Sequence, residues 1–263
     1  MEEQSRPDKD LSEEIAPSFI RPPGLEFAMG VALFAVVLMV FFLVQSGIFI
    51  HGVVQHSPDL VKDGFSLSLL SDPLMEERMN DLVFNGDLVG QEAFWSGLVC
   101  TLLILITVHF WKREQMSLFL GLRLPSLKQV GIWLGVFLLL GLVIEGIARF
   151  NPAFQTDFMK QVIGSTTNMT MLYLGVGVLA PVFEEFLLRG LLFGSIRHLM
   201  DEHATVAITA GVFTLMHMQY DWTVMLLVLP MGVVLGYSRS RSGSIWVPIM
   251  LHMLNNVVTV VAP

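Results

Sequence analysis

The sequence predicts an all-α fold, a polytopic membrane helix bundle of about seven transmembrane helices. Three observations predict it. Hydrophobic residues make up 54% of the 263 residues and charged residues only 14%, where a soluble domain sits near 25% charged. The apolar residues fall in runs of near-spanning length, separated by polar links. The few charges inside those runs cluster in one place rather than scattering.

The net charge of −8 comes mainly from outside the apolar runs. Residues 1–26 hold seven acids against three bases, and residues 51–92 hold eight acids against two bases. Such an acidic chain carries no nucleic-acid footprint. The single cysteine, Cys100, lies in an apolar run and has no intrachain partner to pair with. The N-terminus is acidic and polar, unlike the basic start of a signal peptide.

In chain order, residues 1–26, with Pro7, Pro17, Pro22 and Pro23, read as a polar flexible tail. Phe27–Ile50 is the first span. Residues 51–92 are too polar to span and form an extramembrane loop, in which Asp72–Phe84 has the mixed pattern of a short surface helix. Ala93–Trp111 and Val130–Ala148 are the second and third spans, and together 27–170 form the N-terminal membrane helices. A core at 171–263 follows: residues 171–196, Ala204–Met218, Trp222–Tyr237 and Ile245–Val261. The later segments fall short of the roughly 20 residues a full crossing needs, which implies tilt or shelter inside the bundle. With an inside N-terminus, ten Lys and Arg residues fall on the inside and four on the outside, so the positive-inside rule favours a cytoplasmic N-terminus.

The fourth apolar segment carries Glu184, Glu185 and Arg189. Ionisable groups at bilayer depth cost roughly 2.5–3.5 kcal/mol each on insertion scales and are usually functional. Glu185 and Arg189 are four apart and share a helix face, so they can pair. Glu184 points about 100° away and remains free for chemistry. An ion pair that merely fixes helix register, beside a snorkelling glutamate, accounts for the trio less well. Two later segments add Phe213 with His217, and His252 with Asn256, each pair four apart. Asn255 is the other candidate partner of His252, slightly off its face. His198 and His203 flank Asp201 and Glu202 in what reads as a surface turn rather than a metal site.

There is no Gly-x-Ser-x-Gly elbow, no HExxH helix, and Cys100 lies outside the cluster. A glutamate with a histidine can activate water as a general base. A histidine with an asparagine can donate to the oxyanion of a tetrahedral intermediate. The same groups, Glu184, His217 and His252, could instead hold a zinc ion with an open position.

EExxxR at Glu184–Arg189, FxxxH at Phe213–His217 and HxxxN at His252–Asn256, in that order, resemble the CPBP family of intramembrane proteases, also called Abi, which includes the type II CAAX prenyl endopeptidases. Gly232, Gly236, Ser244, Ile245 and Pro248 fit the same pattern, and the resemblance covers about residues 171–260. It implies a helical membrane fold with the active site in a cavity formed by the C-terminal helices. It implies Glu184 as water-activating base assisted by His217, His252 and Asn256 on the oxyanion side, and Glu185 and Arg189 as supporting residues. Members are often described as metalloproteases; a metal-free glutamate mechanism, with no cofactor, is preferred here over a zinc one.

The expected partners are the lipid bilayer and a membrane-associated protein or peptide substrate, in a bacterial inner membrane. Two non-proteolytic readings stand beside this one. The buried Glu–Arg–His cluster could be the proton relay of a transporter, although the sequence shows no inverted repeat. It could also belong to an immunity or scaffold protein with a degenerate site, although all six polar motif residues are present.

Overall fold

The computed structural model describes residues 22–62 and 66–262. The expected tail lies mostly outside the described residues. Its last residues are helical, because α1 (Pro23–His56) starts at a proline whose fixed φ suits a first helical position. At its other end α1 runs past Ile50, and His56 Nδ1 donates to the Gly52 carbonyl at 2.8 Å.

The stretch 51–92 is therefore not all loop. Besides the end of α1 it contains α2 (Pro73–Leu82), capped by the Asp72 carboxylate, which accepts from Leu74 N at 2.8 Å. It also contains the start of α3 (Gly86–Lys112), capped by Asn85. A tight turn through Arg113 leads to α4 (Met116–Leu120), which ends on left-handed Gly121. The third span is α5 (Leu127–Phe150), opened by a capping box between Ser126 and Gln129. After α6 (Phe158–Ser165) comes α7 (Met169–Ile196), then α8 (Glu202–Leu215), α9 (Trp222–Ser242) and α10 (Trp246–Val261).

All seven expected segments are helical. Among the described residues, five helices are long and apolar enough to cross a membrane: α1, α3 with α4, α5, α7 and α9. The other two, α8 and α10, have 14 and 16 residues. Their shortness matches their place, since they pack inside the bundle against α7 and α9. In contrast α5 turns most of its apolar side chains outward, Leu139 and Leu142 among them. That is expected of a helix facing lipid, where an apolar exterior costs nothing.

The centre of the bundle is α7. It touches α1, α3, α4, α8 and α10, and every residue from Glu185 to Ile196 is buried. It is not a uniform α-helix. Two stretches, Tyr173–Leu179 and Phe186–Leu192, are π-helical and flank the α-helical Ala180–Glu185. Such stretches are uncommon and gather at functional sites. Pro181, which lacks a backbone N–H, sits between them. Close approach of α3 to α7 depends on small residues: a Cβ on Gly175 would lie 2.4 Å from the Gly90 carbonyl.

Candidate functional site

The α-helical piece between the two π-stretches presents Glu184 and Glu185 to the neighbouring helices. Glu185 is completely buried. Its Oε1 accepts from Arg189 Nη1 at 3.0 Å and from His252 Nδ1 of α10 at 2.9 Å. Arg189 is also completely buried, and its Nη2 donates to the Gly232 carbonyl of α9 at 2.8 Å. Gly232 fits closely there, since a Cβ would lie 3.0–3.3 Å from Phe213 and Ala210 of α8. Gly236, one turn on, meets Val206 in the same way. The two glycines let α8 and α9 close together so that a backbone carbonyl reaches the guanidinium.

Phe213 explains the aromatic position of the FxxxH pair. Its ring lies 4.8 Å below the Arg189 guanidinium and meets His252 edge-on at 5.3 Å. It also packs against His217 at 4.7 Å. His217 lies just beyond the last α-helical residue of α8, in a turn, yet it keeps the expected face because its Nδ1 donates to the Phe213 carbonyl at 2.8 Å. That bond leaves Nε2 as the free ring nitrogen.

Glu184 behaves differently from Glu185. Its side chain is 17% exposed against 0% for its neighbour. Its Oε2 has no hydrogen-bond partner and lies 3.9 Å from His252 Nε2. Glu184 thus has no partner on its own helix, and its nearest basic group, His252, comes from another. One imidazole on α10 meets both carboxylates, Glu185 through Nδ1 and Glu184 across a gap at Nε2, because its two nitrogens span the angle between successive residues of α7.

Glu184, His217, His252 and Asn256 line one cavity of about 510 Å³, open toward the end of the bundle where α1 and α8 finish. Glu185 and Arg189 lie behind its wall. Asn256 Nδ2 donates to the Val176 carbonyl at 2.9 Å, within the first π-stretch, so part of its donor capacity is already used. Asn255 lines the same cavity and donates to Asn256 Oδ1 at 3.3 Å.

Two lining residues escaped the sequence reading. Glu92 was counted with the extramembrane loop, but it sits in α3 and its buried Oε1 has no hydrogen-bond partner. The signal was there: Glu92 directly precedes the apolar run and follows an Asn-Gly-Asp helix start. Tyr220 lies in the turn after α8, and burial, then the Glu184 carboxylate, push its phenol pKa up. It thus remains a hydroxyl donor at neutral pH. His198 and Asp201 stay in a surface turn, where Asp201 caps α8, but Glu202 and His203, expected in the same turn, belong to the first turn of α8.

Among the described residues, no group of three His, Cys, Asp or Glu side chains is gathered so as to hold a metal ion. The zinc set considered from sequence, Glu184, His217 and His252, does not form such a group.

The fold and this site define a polytopic helical membrane protein with a buried Glu–Arg–His cluster opening on a polar cavity. Residues 166–258 match the family model described as type II CAAX prenyl endopeptidase Rce1-like. A curated protein of Bacillus subtilis (strain 168), named "Putative membrane peptidase YdiL", is 23% identical over 175 residues, covering 63% of this chain and 68% of that protein. No solved structure matches the chain. Both matches agree with the resemblance that the three motifs carry.

Proposed function

We propose that the chain is an intramembrane endopeptidase that hydrolyses a peptide bond of a membrane-associated protein or peptide. The observation that supports this most is the unequal pair of carboxylates. Glu185 is fully buried and held through Oε1 by Arg189 and His252, while Glu184 lines the cavity, is partly exposed and, among the described residues, has no ion-pair partner closer than His252 at 3.9 Å. Glu184 takes a proton from water, and the resulting hydroxide attacks the carbonyl carbon of the scissile bond. The 3.9 Å gap between Glu184 and His252 Nε2 is one that a water molecule can bridge. His217 assists from the same wall through its free Nε2. His252, held by Glu185 at Nδ1, presents Nε2 to the cavity, from which its imidazolium form donates to the oxyanion together with Asn256. The C–N bond then breaks, and the proton held by Glu184 passes to the leaving amine. Glu185 and Arg189 act as positioning residues.

The division of labour is tested with purified variants, a cleaved substrate and a thermal melt in detergent. Glu184→Gln should melt like the wild type yet lose about 10²–10⁴ in turnover, the usual worth of a general base. His217→Ala should behave similarly. Glu185→Gln leaves Arg189 buried without its partner and should lower the melting temperature as well as activity. If Glu184→Gln cleaves normally while Glu185→Gln is stable and inactive, the roles are reversed. If both cleave normally, the proton-relay or scaffold reading replaces the protease.

We read the chemistry as metal-free. Elemental analysis of the active preparation should find no stoichiometric zinc. About one zinc per chain, with activity lost on chelation and restored by zinc, contradicts this.

The setting we propose is the bacterial inner membrane, with the N-terminus cytoplasmic and the C-terminus outside, on the strength of the Lys and Arg asymmetry. A reporter fused after Pro263 should give the outside signal, and a cytoplasmic signal there overturns the topology.

A further inference from the structure

A second cavity, of about 700 Å³, lies at the opposite end of the bundle, where α3, α7 and α9 finish and α8 begins. Its wall includes Arg123, Arg197 and Arg239, against Glu114 and Glu202. Glu202 already has a partner, since Arg241 Nε lies 3.2 Å from its Oε1.

Arg239 is the unusual member. It is only 2% exposed. Its Nε donates to the Arg189 carbonyl at 3.0 Å, and its guanidinium lies 5.2 Å from the Phe193 ring centre. Among the described residues no carboxylate lies within ion-pair distance of it, and its buried Nη2 has no hydrogen-bond partner. Arg197 likewise has a buried Nε without a partner. The chain makes room for this cation: Gly121 has φ +76°, and a Cβ there would lie 2.3 Å from Arg239 Cζ.

A buried cation without a counter-charge is costly, and leaving a guanidinium donor unsatisfied adds to that cost. Nothing in the peptidase chemistry uses Arg239, Arg197 or Arg123. We propose that this cavity is an anion site that grips a phosphate group between Arg239 and Arg197, with Arg123 at its rim. Planar guanidinium forks match phosphate oxygens in a way a lysine does not. The same end of the bundle carries Arg113 and Lys128, which raise the local concentration of anions, whereas Lys112 and Arg241 are already paired with Glu26 and Glu202. The phosphate is either free or the headgroup of an anionic lipid at the membrane surface. Because Arg239 bonds to the Arg189 carbonyl, the occupied site would brace the helix that bears the catalytic glutamates.

The test uses the full chain, delipidated in detergent, with the melting temperature followed against added ligand. One arm adds inorganic phosphate, one adds phosphatidylglycerol and one adds phosphatidylcholine. A saturable rise with phosphatidylglycerol, and little with the other two, assigns the site to an anionic headgroup. A rise of similar size with inorganic phosphate assigns it to the free anion. In either case Arg197→Gln should weaken the apparent Kd about tenfold, the loss expected for one charge-assisted contact. Arg197→Gln carries the test because Arg239→Gln also removes a bond to α7. No rise with any ligand, an equal rise with phosphatidylcholine, or an unchanged Kd in Arg197→Gln overturns the proposal.

Discussion

The ion pair between Glu185 and Arg189 is the interaction on which the rest of the structure depends. Both side chains are removed from solvent in the middle of an apolar bundle, where an unpaired charge is far more costly than in water. Each partner then makes a further hydrogen bond to another helix. Glu185 takes His252 from α10, and Arg189 takes the Gly232 carbonyl from α9 and the Phe213 ring from α8. Satisfying two charges thus fixes the relative positions of four helices. The small residues follow from the same demand, since Gly232 and Gly236 are what allow α9 to come within reach.

The pair also explains how two adjacent glutamates come to differ. Glu185 points into the four-helix junction, where its Oε1 accepts from both Arg189 and His252. Glu184, one residue earlier, lines the cavity and is partly exposed where Glu185 is fully buried. His252 links the two, so the orientation of a cavity-facing imidazole is set by a buried carboxylate. This is the usual logic of a site in which one group does chemistry and its neighbour holds the geometry. The π-helical turns on either side of Ala180–Glu185 place the segment under local control, and Asn256 is bonded to the first of them through the Val176 carbonyl.

Much of this was legible in the sequence, for a physical reason. A charge in an apolar run stands out because the bilayer makes it expensive, so Glu184, Glu185 and Arg189 are visible without any structure. Spacing of four then put Arg189 on the Glu185 face, His217 beside Phe213 and Asn256 near His252. What spacing within one helix does not contain is the meeting of different helices. That His252 reaches both glutamates, and that Glu92 enters the cavity from α3, depend on how helices cross. Glu92 was misplaced because a polar residue at a helix start looks like the end of a loop. The π-stretches left no mark in the apolar pattern of α7. The peptidase reading itself rests on three motifs, a family match over residues 166–258 and a distant relative, which is more than the geometry alone would carry.

The central claim is that the Glu185–Arg189 pair, as a pair, holds the junction together. A double-mutant cycle measures this directly, by thermal melts of Glu185→Gln, Arg189→Met and the combined variant. Breaking a buried pair by removing one partner typically costs about 3–5 kcal/mol, much of it from the charge left behind. The account therefore predicts that the double variant melts well above the temperature expected from summing the two single losses, and no lower than the worse single variant. Losses that add within about 0.5 kcal/mol, as for independent sites, would contradict it.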